Sequence, residues 1–186
     1  MKIIVAGATG FVGKTLLPLL AEKGHEIIVL TRDINSAQVR VPVVCKIIEW
    51  DPLKPLSHME DNIDVVINLC GENVASGRWT SKRKQAIYNS RILATRNLIH
   101  YFRKNSHPIK AWISASAIGI YENSIVSDES APSGQEFLAK ICKDWEEETF
   151  KARDLNIRTI AFRIGIVLGF DGGVMEKMLP VFKLGL

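Results

Sequence analysis

The chain has 186 residues, 47% of them hydrophobic, and 24 Lys and Arg against 20 Asp and Glu give a formal net charge of +4. That length is one domain's worth of chain with ample apolar content for a core, and so small a positive balance with no recognition motif argues against a nucleic-acid binder. No segment approaches the ~20 apolar residues of a membrane span, the apolar run after Lys2 is too short for a secretory signal, and Cys45, Cys70 and Cys142 fit neither a disulfide framework nor a zinc spacing, so a cytoplasmic protein without a metal is expected.

A first strand over residues 2–6 runs straight into Gly7-Ala8-Thr9-Gly10-Phe11-Val12-Gly13, after which the apolar pattern becomes that of a helix over about residues 11–23. A strand that ends in glycines spaced three apart and feeds a helix has the chemistry to hold a pyrophosphate. Gly7 allows the tight turn, Gly10 lets the backbone approach the phosphates, Gly13 lets helix and strand pack closely, and the helix N-terminus offers free N–H groups to the anion. Pro18 removes the helical hydrogen bond to the Lys14 carbonyl and predicts a kink. Val- and Ile-rich runs recur at about residues 26–30, 43–48, 65–69, 111–114 and 157–167, between helical patterns at about 81–104 and 135–155 and before a last one from near Val174. Continuously apolar strands are buried on both faces, which predicts a doubly wound α/β fold, a parallel sheet with helices on each side.

The end of the second strand, Val29-Leu30-Thr31-Arg32-Asp33, selects the cofactor. An acidic residue there accepts a bond from a ribose 2′-OH and marks NAD, whereas Arg accommodates the 2′-phosphate of NADP. Thr31 and Arg32 favour NADP; Asp33 keeps NAD as the competing reading. From Asn73 through Tyr121 there is no Asp or Glu, yet Arg78, Lys82, Arg83, Lys84, Arg91, Arg96, Arg103, Lys104 and Lys110 all fall inside. Either a phosphate-bearing partner faces this stretch, or Glu146, Glu147 and Glu148 on a neighbouring helix balance it.

At this point the residues resemble a family. The glycine loop, Asn68-Leu69-Cys70-Gly71-Glu72-Asn73, Gly77-Arg78-Trp79-Thr80, Ser90-Arg91, Ser116-Ala117-Ile118-Gly119-Ile120-Tyr121, Trp145-Glu146 and Arg163-Ile164-Gly165-Ile166-Val167-Leu168-Gly169 with Gly172-Gly173 follow one another in order. Together they resemble the atypical extended short-chain dehydrogenase/reductases known as NAD(P)-dependent nucleotide-sugar epimerase family proteins, some bacterial members of which carry a cell-division-inhibitor label. The resemblance implies that Gly7, Thr9, Gly10, Phe11, Val12 and Gly13 surround the pyrophosphate and that Thr31 and Arg32 meet the adenosine phosphate. It implies further that Leu69, Cys70 and Gly71 line the cofactor, that Arg91, four residues before Thr95, stands near the nicotinamide, and that Val167 lies near the carboxamide. It also implies a Rossmann domain over residues 1–170, with residues 171–186 beginning a substrate-binding lobe that is largely missing, a small-molecule and nucleotide-linked substrate, and dimerisation through helices.

Catalysis departs from the family pattern. Such reductases use Tyr-x-x-x-Lys, the Lys lowering the phenol pKa for proton exchange during hydride transfer. Here the corresponding stretch reads Glu136-Phe137-Leu138-Ala139-Lys140. With Lys140 aligned to the family Lys, Glu136 stands in place of Tyr, Ser116 is the group that orients a carbonyl, and Tyr121 is the substitute proton donor. Two readings follow: an NADP-dependent oxidoreductase or epimerase acting by hydride transfer, or a noncatalytic NADP-binding sensor or interaction protein.

Overall fold

Six apolar segments pair into one parallel sheet: β1 (Lys2–Ala6), β2 (Glu26–Thr31), β3 (Lys46–Glu49), β4 (Val65–Asn68), β5 (Ala111–Ala117) and β6 (Arg158–Ile164). The spatial order is β3-β2-β1-β4-β5-β6 in this computed structural model, which describes residues 1–57, 59, 62–105, 108–122, 126–169 and 172–185. Because successive strand residues point to opposite faces, Ile3 and Val5 pack with Leu17, Val29 and Ile67 on one side, and Ile4 packs with Ile28, Val66, Leu98 and Trp112 on the other. The helices α1 (Phe11–Glu22), α2 (Ile34–Arg40), α3 (Ser81–Asn105), α4 (Phe137–Phe150) and α5 (Met175–Lys183) complete a doubly wound α/β fold. A third apolar cluster of Ile87, Ile92, Ile141 and Trp145 joins α3 to α4.

Strand order reverses between β1 and β4, where Ala6 aligns with Leu30 on one side and with Asn68 on the other. In open α/β sheets the crevice at that switch point, beyond the carboxyl ends of the strands, is where ligands bind. Asn68 is fully buried there; its side chain donates to Thr95 Oγ1 at 2.9 Å and accepts from the Cys70 N–H at 3.1 Å, which holds the chain leaving β4 in a fixed path.

Several boundaries differ from the sequence expectations. Helix α2 has no counterpart among them; Asp33 starts it by accepting a 2.9 Å bond from the Ser36 N–H. Strand β3 begins at Lys46, and β6 covers only Arg158–Ile164 of the longer run expected over 157–167. The helix expected over 135–155 divides into α4 and a 3-10 turn, Lys151–Leu155, closed by Asn156 in the left-handed conformation at φ +58°. Helix α1 continues through Pro18 as a single 12-residue helix. Among the described residues, no helix is long and apolar enough to cross a membrane and no group of three or more His, Cys, Asp or Glu is placed to hold a metal.

Candidate functional site

The glycine loop closes against the neighbouring strand end. Gly7 has φ +82°, and a Cβ on it would lie 2.6 Å from the carbonyl carbon and oxygen of Leu69, so no side chain fits between the loop and the end of β4. A Cβ on Gly13 would lie 2.5 Å from the Ala8 carbonyl oxygen, so α1 packs directly on the loop. Gly10 caps α1 without a side-chain bond, and the first turn carries no acidic residue. Among the described residues no side chain caps this end of α1, and free N–H groups at a helix start suit an anion. A Cβ on Gly10 would meet only the Gly7 carbonyl oxygen, at 3.2 Å, which leaves room for a ligand to approach the backbone.

At the end of β2 the three candidate residues divide their roles. Thr31 Oγ1 accepts from the Asp33 N–H at 3.3 Å, and Asp33 spends its carboxylate on capping α2. Arg32 is 70% exposed and reaches across the crevice to Glu72, Nη1 to Oε1 3.5 Å. The other Glu72 oxygen, Oε2, takes a 3.1 Å bond from Arg83 Nη1, and Arg83 Nη2 also donates to the Asn73 carbonyl.

Beside the glycine loop lies a cleft of about 290 Å³ at the ends of β4, β5 and β6. Leu69, Cys70 and Gly71 form one wall, Arg91 from α3 and Ser116 from β5 line it, and α4 contributes Leu138, Ile141, Cys142 and Trp145. Arg91 donates to the carbonyl oxygens of Ile87 at 3.0 Å and Glu72 at 3.1 Å, and its guanidinium lies 5.3 Å from the Trp145 ring centroid. It is packed so closely on Gly71 that a Cβ there would come within 2.9 Å of its guanidinium carbon. Burial lowers the Arg91 pKa from its ordinary value, and no ion pair is among its bonds. The position is that of a cation held by neutral carbonyls at a cleft wall. Burial pushes the Cys70 thiol up to about 12 and raises that of Cys142 as well, so neither is a thiolate at neutral pH.

Ser116 and Tyr121 are brought into one network. Ser116 Oγ donates to Glu146 Oε1 at 2.6 Å; Arg163 Nε and Nη2 hold the two oxygens of Glu146, each at 2.9 Å; and Arg163 Nη1 donates to the Tyr121 hydroxyl at 2.8 Å. Glu146 is only 7% exposed. Hydrogen bonding to Glu146 raises the Arg163 pKa above its ordinary value. Lys140 is placed elsewhere: it is exposed on α4 and does not line the cleft. Leu138 and Cys142 line the cleft at a four-residue spacing, as do Ile141 and Trp145, while Lys140 lies on the exposed side of α4. Val167 is 39% exposed beyond the end of β6 and is not among the cleft-lining residues either.

A family description fits this geometry: the model of the NAD dependent epimerase/dehydratase family matches residues 3–182. The chain belongs to that family. Within it, the chain is 35% identical to the epimerase family protein YfhF of Bacillus subtilis over 97% of this chain and 59% of that protein. It is 34% identical to the chloroplastic SDR39U1 homolog of Arabidopsis thaliana over 99% of this chain and 54% of that protein. The crystal structure of human epimerase family protein SDR39U1 with NADPH superposes with a TM-score of 0.81 at 32% identity, covering all of this chain and 61% of that one. The chain therefore spans a little over half the length of the relatives it matches. These likenesses make it an epimerase-family protein of the atypical extended short-chain dehydrogenase/reductase kind.

Three residues of this epimerase-family chain, Glu146, Glu72 and Arg83, form ion pairs at the candidate site that the sequence alone does not disclose. In the sequence Glu146 is part of the Trp145-Glu146 motif and a counter-charge to the basic stretch; in the fold it pairs with Arg163, and Glu148 takes the counter-charge role through a 2.9 Å bond from Arg96. Glu72 and Arg83 belong to quoted or charged segments, but their pairing depends on how the start of α3 docks beside β4. A sequence signal did exist for the α4 face: Phe137, Leu138, Ile141, Cys142 and Trp145 form an apolar stripe at helical spacing, which leaves Lys140 outside it.

Proposed function

We propose that the chain binds NADP(H) across the carboxyl edge of its sheet and forms the cofactor half of a hydride-transfer enzyme, an oxidoreductase or epimerase acting on a small-molecule alcohol or carbonyl. The observation that carries the choice of NADP is the capping role of Asp33, whose carboxylate is committed to the Ser36 N–H while Arg32 extends free of the backbone at the same strand end. A ribose 2′-OH thus lacks its usual carboxylate, and a 2′-phosphate finds a guanidinium. The uncapped α1 N-terminus and the Gly7–Leu69 contact supply the pyrophosphate cradle, and the NADPH in the human relative agrees with the choice.

Bound NADP(H) supplies or accepts the hydride. The chain's own part concerns the oxygen of the reacting carbon. Ser116 gives its only hydrogen to Glu146, so it turns lone pairs to the cleft and accepts from a substrate hydroxyl. Arg91 lines the same cleft as a fixed cation. A second reading, NADP binding without turnover, is favoured by Leu138 and Cys142 facing the cleft at the spacing where such reductases carry Tyr and Lys. Titration with NADPH and NADH tests the binding claim: NADPH binds tighter, and Arg32→Ala weakens NADPH about tenfold, the loss of roughly one charge-assisted bond, while leaving NADH within twofold. NADH binding at least as tightly as NADPH to the unaltered chain overturns it. Turnover of any member of a panel of sugar nucleotides and simple carbonyl compounds supports the enzyme; tight binding with none turned over supports the sensor.

A further inference from the structure

We propose that Arg83 is a second receptor for the 2′-phosphate of NADP(H), and that Glu72 is a tethered stand-in for that phosphate which must swing away when the cofactor binds. The inference rests on the NADP reading above and adds to it the residues that set selectivity. One carboxylate here joins two arginines from distant parts of the chain, Arg32 Nη1 to Oε1 at 3.5 Å and Arg83 Nη1 to Oε2 at 3.1 Å. Two guanidinium groups converging on one small anion is an arrangement that suits a phosphate better than a carboxylate. A phosphate brings nearly twice the charge and three terminal oxygens to donors arranged as planar forks.

The surroundings reinforce this. Arg83 Nε is buried without a hydrogen-bond partner, so the carboxylate leaves a donor of the cluster unused. No acidic residue occurs from Asn73 to Tyr121, and Glu72 is the only carboxylate that Arg83 pairs with among the described residues. Arg83 also sits in the first turn of α3, where a cation opposes the helix dipole and gains from a strongly anionic neighbour. Release of Glu72 requires no backbone change. Its N–H is held by Ser90 Oγ at 2.9 Å and its carbonyl by Arg91 Nη2 at 3.1 Å, while its side chain is 32% exposed and able to turn to water. The carboxylate competes with the phosphate and leaves NADH unaffected, since NADH presents nothing to displace it.

Isothermal titration of the chain with NADPH, NADH and adenosine 2′-monophosphate tests the proposal. Glu72→Gln keeps the side-chain volume and removes the competing charge, and is expected to tighten NADPH and adenosine 2′-monophosphate about threefold to fivefold, the scale of a partly exposed ion pair, with NADH within twofold. Arg83→Ala, with retained helical circular dichroism, is expected to weaken the same two ligands about tenfold and to spare NADH. Equal or weaker binding of NADPH to Glu72→Gln overturns the proposal, as does an Arg83→Ala chain that binds adenosine 2′-monophosphate normally. Those results leave the NADP reading intact provided that the unaltered chain still prefers NADPH; loss of that preference in the unaltered chain is the distinct failure of the NADP reading itself.

Discussion

Gly7→Val is expected to lower the unfolding midpoint by roughly 6–12 °C and to abolish NADPH binding. The effect has two sources that add at one position. The residue sits at φ +82°, where a β-branched side chain is strained by about 1–3 kcal/mol, and its Cβ would lie 2.6 Å from the backbone of Leu69, an overpacking of similar cost. A total of about 3 kcal/mol in a chain of this size corresponds to a few degrees per kcal/mol. Neither the loop nor the end of β4 yields cheaply, because Leu69 N–H bonds to the Ala6 carbonyl at 2.8 Å and Cys70 N–H to Asn68 at 3.1 Å. Gly24→Ala is the control: Gly24 shares the left-handed conformation, at φ +70°, but a Cβ there meets nothing within 4 Å. It is expected to cost about 1 kcal/mol and to leave NADPH affinity unchanged. Thermal melts and NADPH titrations of the two variants check this, and equal melting points with intact binding in both would show that the Leu69 contact is not what makes Gly7 obligatory.

The same contact explains what a single sequence discloses and what it does not. The strand-glycine-helix start was legible because both the Gly7 turn and the Gly13 packing act on neighbours close in sequence or on the adjacent strand, and the five apolar runs found their places as parallel strands, buried at the centre of the sheet and half-exposed at its edges β3 and β6. Helix α2 was hidden because its seven residues carry little apolar periodicity, and its one clear signal, Asp33 three residues before Ser36, was read as a competing ribose ligand. The run over 157–167 continues with Ile166 and Val167 past the end of β6 at Ile164, and beyond it Gly169, Gly172 and Gly173 lie against the Phe11 ring. Lys140 shows the opposite weakness, a spacing matched without regard to helix phase. The apolar stripe of α4 fixes which side faces the sheet, and Lys140 is on the other. The ion pairs of Glu72 span 40 and 11 residues, and that of Glu146 spans 17, distances over which one sequence read alone offers no pairing rule.

Arg163→Ala is expected to destabilise the chain by about 3 kcal/mol, because it strands a carboxylate that is only 7% exposed. Arg163 lies on β6, which is the outer strand of the sheet next to β5, and its guanidinium reaches Glu146 on α4, Tyr121 after β5 and the Glu129 carbonyl at 3.0 Å. Removing it leaves Ser116 as the remaining donor to Glu146, so the loss should reach the cleft as well as the fold. Arg163→Lys should recover only part of the stability, since one ammonium cannot match the two parallel bonds of a guanidinium. If the pair matters through the stranded charge, Arg163→Met combined with Glu146→Leu should be much less destabilised than Arg163→Ala, because apolar replacement of both partners removes the buried charge as well as its counter-ion. Urea denaturation of the single and double variants gives the coupling directly. A fall of less than about 0.5 kcal/mol in Arg163→Ala, the ordinary scatter of surface substitutions, would mean that water reaches Glu146 and that Ser116 is not held by a dry ion pair. A large fall restored in the double variant would mean that the cleft wall gains its fixed Ser116 from an ionic contact on the outermost strand. That contact joins the site to β6, one of the two edge strands of the sheet.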